Sequence, residues 1–414
     1  MNLALKTLLG DGYCDDASAR EAMAAQGVVP ACTCTPKDAH EAAAIIQLAA
    51  QQRLPLVPFG SGTQQGSGRP PQKDFVALST HRLNTVVHYE PGDMVASVQT
   101  GMELGAFQTA LVRGLQWLPL DGNPRSTIGG LIATDYSGSL AYGYGTLRDR
   151  VLGMTVIHGD GVIRKCGGKV VKNVTGYALE KLYIGSMGTL GLIAEVAFKL
   201  QPRPAVRATW SAQISSDHTA GFKLLGAVHA KNLPLERLNL DLRSGAATLQ
   251  IQAAGTNKEL NRIDKDLRAA CATAGSSSSA GGFTRTEKET SWNAAAAGVQ
   301  DAPASAAPAV TLRFWSLNSK LEAIYNAVVA MHRSAVASLG PTGGRIELSG
   351  INAETFARIA AAIIALGANY RCENIRGLRI DAPFGPPRPD VALMRKIKES
   401  LDPQGIFNAG RFVV

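Results

Sequence analysis

The sequence is short of the features that mark several large classes of protein. Aromatic residues make up 6% of its 414 positions, and it has only six cysteines, Cys14, Cys32, Cys34, Cys166, Cys271 and Cys372. Thiols so few and scattered give no disulfide framework and suit a chain kept reduced in the cytoplasm. Cys32 and Cys34 are the one close pair, and no second pair or neighbouring histidine completes a zinc or iron–sulfur shell, so no metal is expected. No apolar run reaches the ~18 residues that a membrane-spanning helix needs. The first residues carry Lys6 and then Asp11, Asp15 and Asp16, without the small-residue cleavage pattern of a secretory signal. Lys and Arg outnumber Asp and Glu by 42 to 33, a net charge of +9. That excess is spread thinly, with no basic block interleaved with aromatics, which argues against nucleic acid. It suits a solvated basic surface, an anionic ligand or an acidic partner.

Glycine is what the chain has in excess, 43 residues against an average near ~7%. The glycines crowd between Gly60 and Gly191, where backbone must adopt positive φ or be approached closely. A helix is predicted after Thr35-Pro36-Lys37-Asp38, with Thr35 as its cap and Ala42, Ile45, Ile46, Leu48 and Ala49 on its apolar face. Strands are predicted at 54–59, 75–78, 85–89, 94–99 and 190–200, and a helix at 103–113. A hairpin is expected at 154–165, turning on Asp160-Gly161 in a two-residue type I′ turn. Gln201-Pro202-Arg203-Pro204 is the clearest boundary in the chain. Beyond it, strands at 311–316 and 344–349 and helices at 320–337 and 353–366 predict an antiparallel α+β domain. Residues 273–283 and 302–309 read as surface loops.

Three glycine-bearing clusters carry the chemistry. The first, Gly60-Ser61-Gly62-Thr63-Gln64-Gln65-Gly66, follows a strand and can present a concave array of backbone N–H groups to phosphate. It is not a Rossmann fingerprint. Gln65 stands where the third glycine belongs, Arg69-Pro70-Pro71 forbids the following helix, and His81-Arg82 stands where an acid is required. The second runs from Asp121 to Gly138, and its small residues leave backbone open to a flat or phosphorylated ligand. The third is Gly185-Ser186-Met187-Gly188-Thr189-Leu190-Gly191, leading into a strand.

In order and spacing these clusters, with Tyr144-Gly145-Thr146-Leu147-Arg148-Asp149, Gly168–Tyr177 and the closing Leu401–Arg411, resemble the FAD-binding domain of the vanillyl-alcohol oxidase / p-cresol methylhydroxylase (PCMH) family. The resemblance covers residues 33–203 and the last fifteen. It implies an α+β fold: a two-subdomain PCMH-type FAD-binding domain plus an antiparallel α+β cap domain. The implied division is an N-terminal segment 1–32, the FAD domain 33–203, a cap or substrate domain 204–399, and a C-terminal return 400–414. The implied FAD contacts are Gly60, Ser61, Gly62, Thr63, Gln64 and Gly66, then Ser126, Thr127, Gly129, Gly130, Ala133, Ser137 and Gly138, then Gly188, Thr189, Gly191 and Ile193, and Asn408 by the flavin. Some family members attach FAD through a histidine in the first loop; Thr63-Gln64-Gln65 has none, so the FAD is expected to be noncovalent.

Within the family the chain is most similar to flavin subunits of bacterial glycolate oxidases. The larger kind has a His-x-x-Asp-Gly-Asn motif in its second domain. None of His218, His229 and His332 is followed by one, and His158-Gly159-Asp160-Gly161 reads as a turn, so the resemblance is to the smaller kind. It implies oxidation of glycolate to glyoxylate with hydride transfer to flavin. The implied partners are a larger flavin subunit and an iron–sulfur subunit, in the cytoplasm or peripheral on the inner face of the membrane. Arg345, Arg313 and Glu347 are nominated as catalytic, with an ion pair as the alternative, and Tyr144 and Arg148 as neighbours of the flavin. A noncatalytic electron-relay or assembly subunit and a freestanding FAD-dependent hydroxy-acid dehydrogenase remain open readings.

Overall fold

A computed structural model describes residues 2–169, 177–214, 218–273, 283–289 and 307–414. Residues 170–176 of the fourth motif, the serine run Ser276–Ser279 and most of the 302–309 loop lie outside them.

The first helix after the N-terminal segment is Ala39–Gln52, and its cap is Asp38 rather than Thr35. Asp38 accepts a hydrogen bond from the Glu41 N–H at 2.8 Å, and the Glu41 carboxylate accepts one from the Lys37 N–H at 2.6 Å. Thr35 lies too far upstream to cap a helix that starts at Ala39; its N–H instead donates to the Gly12 carbonyl. The helix lays Ile45, Ile46 and Ala49 on a four-stranded sheet ordered Tyr13–Cys14, Cys32–Cys34, Val76–Ser79, Leu56–Phe59. The last three strands are parallel. Cys32 and Cys34 are buried in this sheet, and no metal-ligating cluster exists among the described residues.

A second sheet is antiparallel throughout, ordered Val86–Glu90, Val95–Gln99, Leu192–Lys199, Val151–Ile157, Ile163–Gly167. The hairpin at its edge is not the two-residue turn expected. Ile157 pairs with Ile163, leaving five residues between them, and only Gly161 has positive φ (+76°). His158 lies buried in that loop and takes an Arg164 Nε–H on Nδ1 at 2.9 Å. Its Nε2 therefore carries the proton and faces the Tyr183 hydroxyl at 2.7 Å, so this is a structural turn.

Residues beyond Gln201 build an eight-stranded antiparallel sheet. Its strands, in spatial order, are Thr284–Glu289, Val206–Ile214, Ala246–Ala254, Arg237–Arg243, Val336–Gly340, Gly343–Ser349, Ala309–Trp315 and Asn369–Arg376. Alternate side chains, among them Trp210, Leu240, Leu249, Leu312 and Ile346, are buried in one core with the helices His218–Ala230, Asn257–Thr273, Leu321–Met331 and Ala353–Ala365. The helix expected at 320–337 stops at Met331, because Val336–Gly340 is claimed by a hairpin with Gly343–Ser349. The opposite, polar face of the sheet turns toward the first half of the chain. There Arg237 reaches Asp121 at 3.2 Å, and Tyr144 donates to Glu236, which also accepts from Arg207.

After the helix Val391–Leu401 the chain crosses back. Leu56 donates its N–H to the Ile406 carbonyl and accepts one from Asn408, adding residues 406–408 beside the first sheet. Phe407, fully buried, anchors the return in the core of that sheet.

Candidate functional site

The loop after Leu56–Phe59, the short helix Ile128–Ala133, the bend before Leu192 and the returning tail meet around one cleft. It is walled by Gly60–Gln65, Thr127, Gly129, Gly130, Ala133, Gly188, Gly191, Leu192, Ile193, Asn408 and Arg411, with Thr80, Thr100, Thr134 and Met187. The N–H groups of Ser61, Gly62, Thr63 and Gln64 donate to no protein acceptor. Gly62, at φ +81°, gives the loop its turn. The Ser61 hydroxyl and the Asn408 side-chain oxygen are buried without a hydrogen-bond partner. Buried polar groups left in this state require a polar ligand.

Most glycines in the cleft wall serve the protein's own packing. A Cβ on Gly60 would lie 2.0 Å from Thr127 Oγ1, one on Gly129 3.0 Å from Thr100 Cβ, and one on Gly191 2.6 Å from the Ile157 carbonyl. The start of the helix Ile128–Ala133 is also closed to ligands. The Ile128 and Gly129 N–H groups donate to the Met102 and Thr100 carbonyls, and the Thr127 hydroxyl caps Gly130. The open amides belong to the first loop.

A second cavity of ≈ 1770 Å³ shares Gln64, Thr134 and Met187 with the cleft and is further lined by Asp135, Tyr136, Trp315, Tyr370, Arg371, Glu373 and Arg388. Arg371, in its wall, belongs to a row of arginines on the sheet behind it. Arg313 pairs in register with Arg345 on one neighbouring strand and with Arg371 on the other, so three guanidiniums stand side by side. Glu373 meets all of them, at 2.5 Å from Arg345, 3.3 Å from Arg371 and 3.5 Å from Arg313. It reaches them because the register slips there: Thr311 faces Asn374 and Leu312 faces Cys372, leaving Glu373 as the extra residue of a bulge. Burial alone would push this carboxyl up. Arg345, then Arg371 and Arg313, outweigh burial and hold it at about 2. Burial lowers Arg313 to about 10. Tyr136, beneath the Arg345 guanidinium at 5.0 Å, is raised by burial to about 12.

The three cations do not share duties. Arg345 donates through Nε to Glu373 and through Nη2 to the Ser137 carbonyl, both at 2.5 Å, and stands outside the cavity wall. Arg371 donates through one nitrogen, to the Asp135 carbonyl at 2.9 Å and to Glu373, and it lines the cavity. The buried Oδ1 of Asp135 accepts no hydrogen bond.

Several expected site residues stand elsewhere. Glu347 is exposed and makes no ion pair among the described residues; Glu373 is the carboxylate of this cluster. Gly66 packs against Asn374, where a Cβ would meet Oδ1 at 2.0 Å. Ser126 lies behind the cleft wall, bonded to Thr63 at 2.8 Å. Ser137 serves Arg345, and Gly138 makes room for Asp121, whose Oδ1 lies 1.8 Å from the place of a Cβ. Thr189 turns inward and donates to the Ser186 carbonyl. Tyr144 and Arg148 line neither cavity; Arg148 donates to the Lys181 carbonyl at 2.7 Å. Sequence reasoning missed Asp135, Arg371, Glu373 and Arg411. Asp135, inside the second cluster, and Arg411, the last residue of the closing motif, had been quoted without a role.

Residues 30–167 match the family described as FAD binding domain, and residues 387–412 match the C-terminal domain of FAD linked oxidases. The chain is 26% identical to glycolate oxidase subunit GlcD of Bacillus subtilis (strain 168), over 92% of this chain and 89% of that one. It is 35% identical to D-lactate dehydrogenase of Archaeoglobus fulgidus, over 41% of this chain but 38% of that protein. With glycolate oxidase subunit GlcE of Escherichia coli (strain K12) it shares 34% identity over 41% of this chain and 49% of that one. An alkyldihydroxyacetonephosphate synthase structure has the same fold, with a TM-score of 0.72 over 97% of this chain and 82% of that one at 15% identity. Open amides, unpartnered buried oxygens and this fold define an FAD-dependent oxidoreductase. More particularly, residues 30–167 carry an FAD binding domain and residues 387–412 resemble the C-terminal domain of FAD linked oxidases, with glycolate oxidase subunits and D-lactate dehydrogenases among the proteins similar to this chain.

Proposed function

We propose that this chain is an FAD subunit of a 2-hydroxy-acid dehydrogenase of the glycolate oxidase kind. It would work beside a larger flavin subunit and an iron–sulfur subunit, in the cytoplasm or on the inner face of the membrane. On this reading residues 33–203 and 400–414 hold FAD and residues 204–399 form the cap. The amides of Ser61–Gln64 receive the diphosphate, and Ser61, Asn408, Gly130 and Ala133 border the rest of the cofactor. When bound, FAD supplies the two-electron acceptor for alcohol oxidation.

The observation that carries the substrate class is the arginine row. Three guanidiniums with Glu373 and Asp135 leave one positive charge in excess at a cavity that opens onto the cofactor cleft. A small carboxylate neutralises that excess, and the open edge of Arg371 fits it in a forked, two-point hold. Asp135 Oδ1, a carboxylate oxygen with no hydrogen bond of its own, is the candidate to accept the substrate's hydroxyl proton. Arg345 positions Glu373 and the 135–137 turn. The carboxylate anchor thus moves from Arg345 to Arg371.

Anaerobic mixing of the FAD-loaded chain with glycolate or D-lactate tests this reading. Bleaching of the flavin absorbance by one of them supports an autonomous dehydrogenase. Bleaching only after the partner flavin subunit is added places this chain in the relay role. Failure of every 2-hydroxy acid to reduce the flavin, with or without partner, overturns the proposal. The D-lactate arm is included because of the Archaeoglobus relative.

A further inference from the structure

We infer that Arg411 is the buried counter-charge of the cofactor's diphosphate and the tie that anchors the end of the first loop beside it. The inference deepens the placement of that diphosphate at Ser61–Gln64 and rests on it. Arg411 is 3% exposed and lines the cleft. Its Nε donates to the Arg69 carbonyl at 3.1 Å and Nη1 to the Gln65 side-chain oxygen at 2.5 Å. Nη2 donates to the Gln65 and Ser67 carbonyls at 2.8 and 3.1 Å. Every one of these acceptors is uncharged. Burial alone acts on the guanidinium, lowering it to about 10, with no carboxylate pulling it back. Other buried cations here have an anion: Arg345 has Glu373 and Lys398 has Asp402.

A buried, unpaired guanidinium is costly, and proteins tolerate one where an anion arrives later. A diphosphate carries two negative charges, and the amides that would receive it begin one residue before Gln65. The geometry of the tie matters as much as the charge. The Arg411 guanidinium gathers the carbonyls of Gln65, Ser67 and Arg69 and the Gln65 side-chain oxygen onto one point, which fixes the chain immediately after the Ser61–Gln64 amides.

The test compares FAD with riboflavin, which lacks the phosphates, by flavin fluorescence titration of the flavin-stripped full chain. Arg411→Gln should raise the Kd for FAD by about 10- to 100-fold, the effect of losing a charge-assisted partner. The Kd for riboflavin should move by less than about threefold, the size of an ordinary surface change. Equal weakening of both flavins, or of neither, overturns the inference. Gly62→Val, which strains the loop at its positive φ, separates this failure from a wider one. If Gly62→Val weakens FAD selectively and Arg411→Gln does not, only the role of Arg411 falls. If neither is selective, the diphosphate lies elsewhere. Should Arg411→Gln fail to fold, Arg411→Lys decides, since it keeps the charge: a retained preference for FAD supports the inference and a lost one overturns it.

Discussion

The ammonium of Lys398 lies 2.8 Å from the Asp402 carboxylate, one helical turn away, and both side chains are buried. The same ammonium donates to the Thr189 and Phe407 carbonyls, while Asp402 accepts from the Ile406 and Phe407 N–H groups. One ion pair thus fastens the helix Val391–Leu401 to the third glycine cluster and to the returning tail. Lys398→Met strands Asp402 in the core and should cost about 3–5 kcal/mol, read as a lower urea midpoint. Phe407→Ala, at the same junction, should cost a similar ~3–5 kcal/mol through the cavity it leaves.

Glu373 makes stability depend on acid. Its folded pKa, about 2, lies below the ordinary 4.5, so its contribution is complete above pH 4.5 and is lost as the pH falls toward 2. The full contribution is on the order of 3 kcal/mol. Glu373→Gln should therefore be destabilised at pH 7, with the gap to wild type closing between pH 4.5 and 2 in denaturant titrations.

Arg371 and Arg345 should part company on mutation. Arg371→Met should raise KM for the hydroxy acid about 10- to 100-fold by removing a charge-assisted hydrogen bond, with FAD content unchanged. Arg345→Ala should instead lower thermal stability, because it removes the shortest of Glu373's ion pairs and the side-chain donor to the Ser137 carbonyl.

No residue of the first loop offers a nucleophile for flavin attachment, since Gly60–Gly66 contains only Gly, Ser, Thr and Gln. Acid precipitation should release all flavin to the supernatant. Colour remaining on the pellet would show a covalent bond.

The glycine clusters meet at one cleft, but several of their glycines answer to internal packing. Gly60, Gly129 and Gly191 are glycines because Thr127, Thr100 and the Ile157 carbonyl press on them, and a sequence displays the absence of a Cβ without displaying what fills its place. The apolar alternation of the sheets was readable. Glu373 was not, because a bulge in the register, not residue spacing, turns it onto the arginines. Thr35 was read as the cap, but the helix begins only at Ala39, which makes Asp38 the capping residue. Arg411 was quoted within a motif and given no role, since its acceptors lie more than 340 residues upstream.

That span sets a timetable for synthesis. Gln65 and Arg411 are 346 residues apart, and Asn408 closes the cleft from the same late stretch. While the chain is still emerging from the ribosome, the anion-receiving loop has neither its tether nor its far wall. On the proposed function, flavin capture follows release of residue 411, and a product of premature termination before that point should fail to hold the cofactor, however well its earlier sheets have formed.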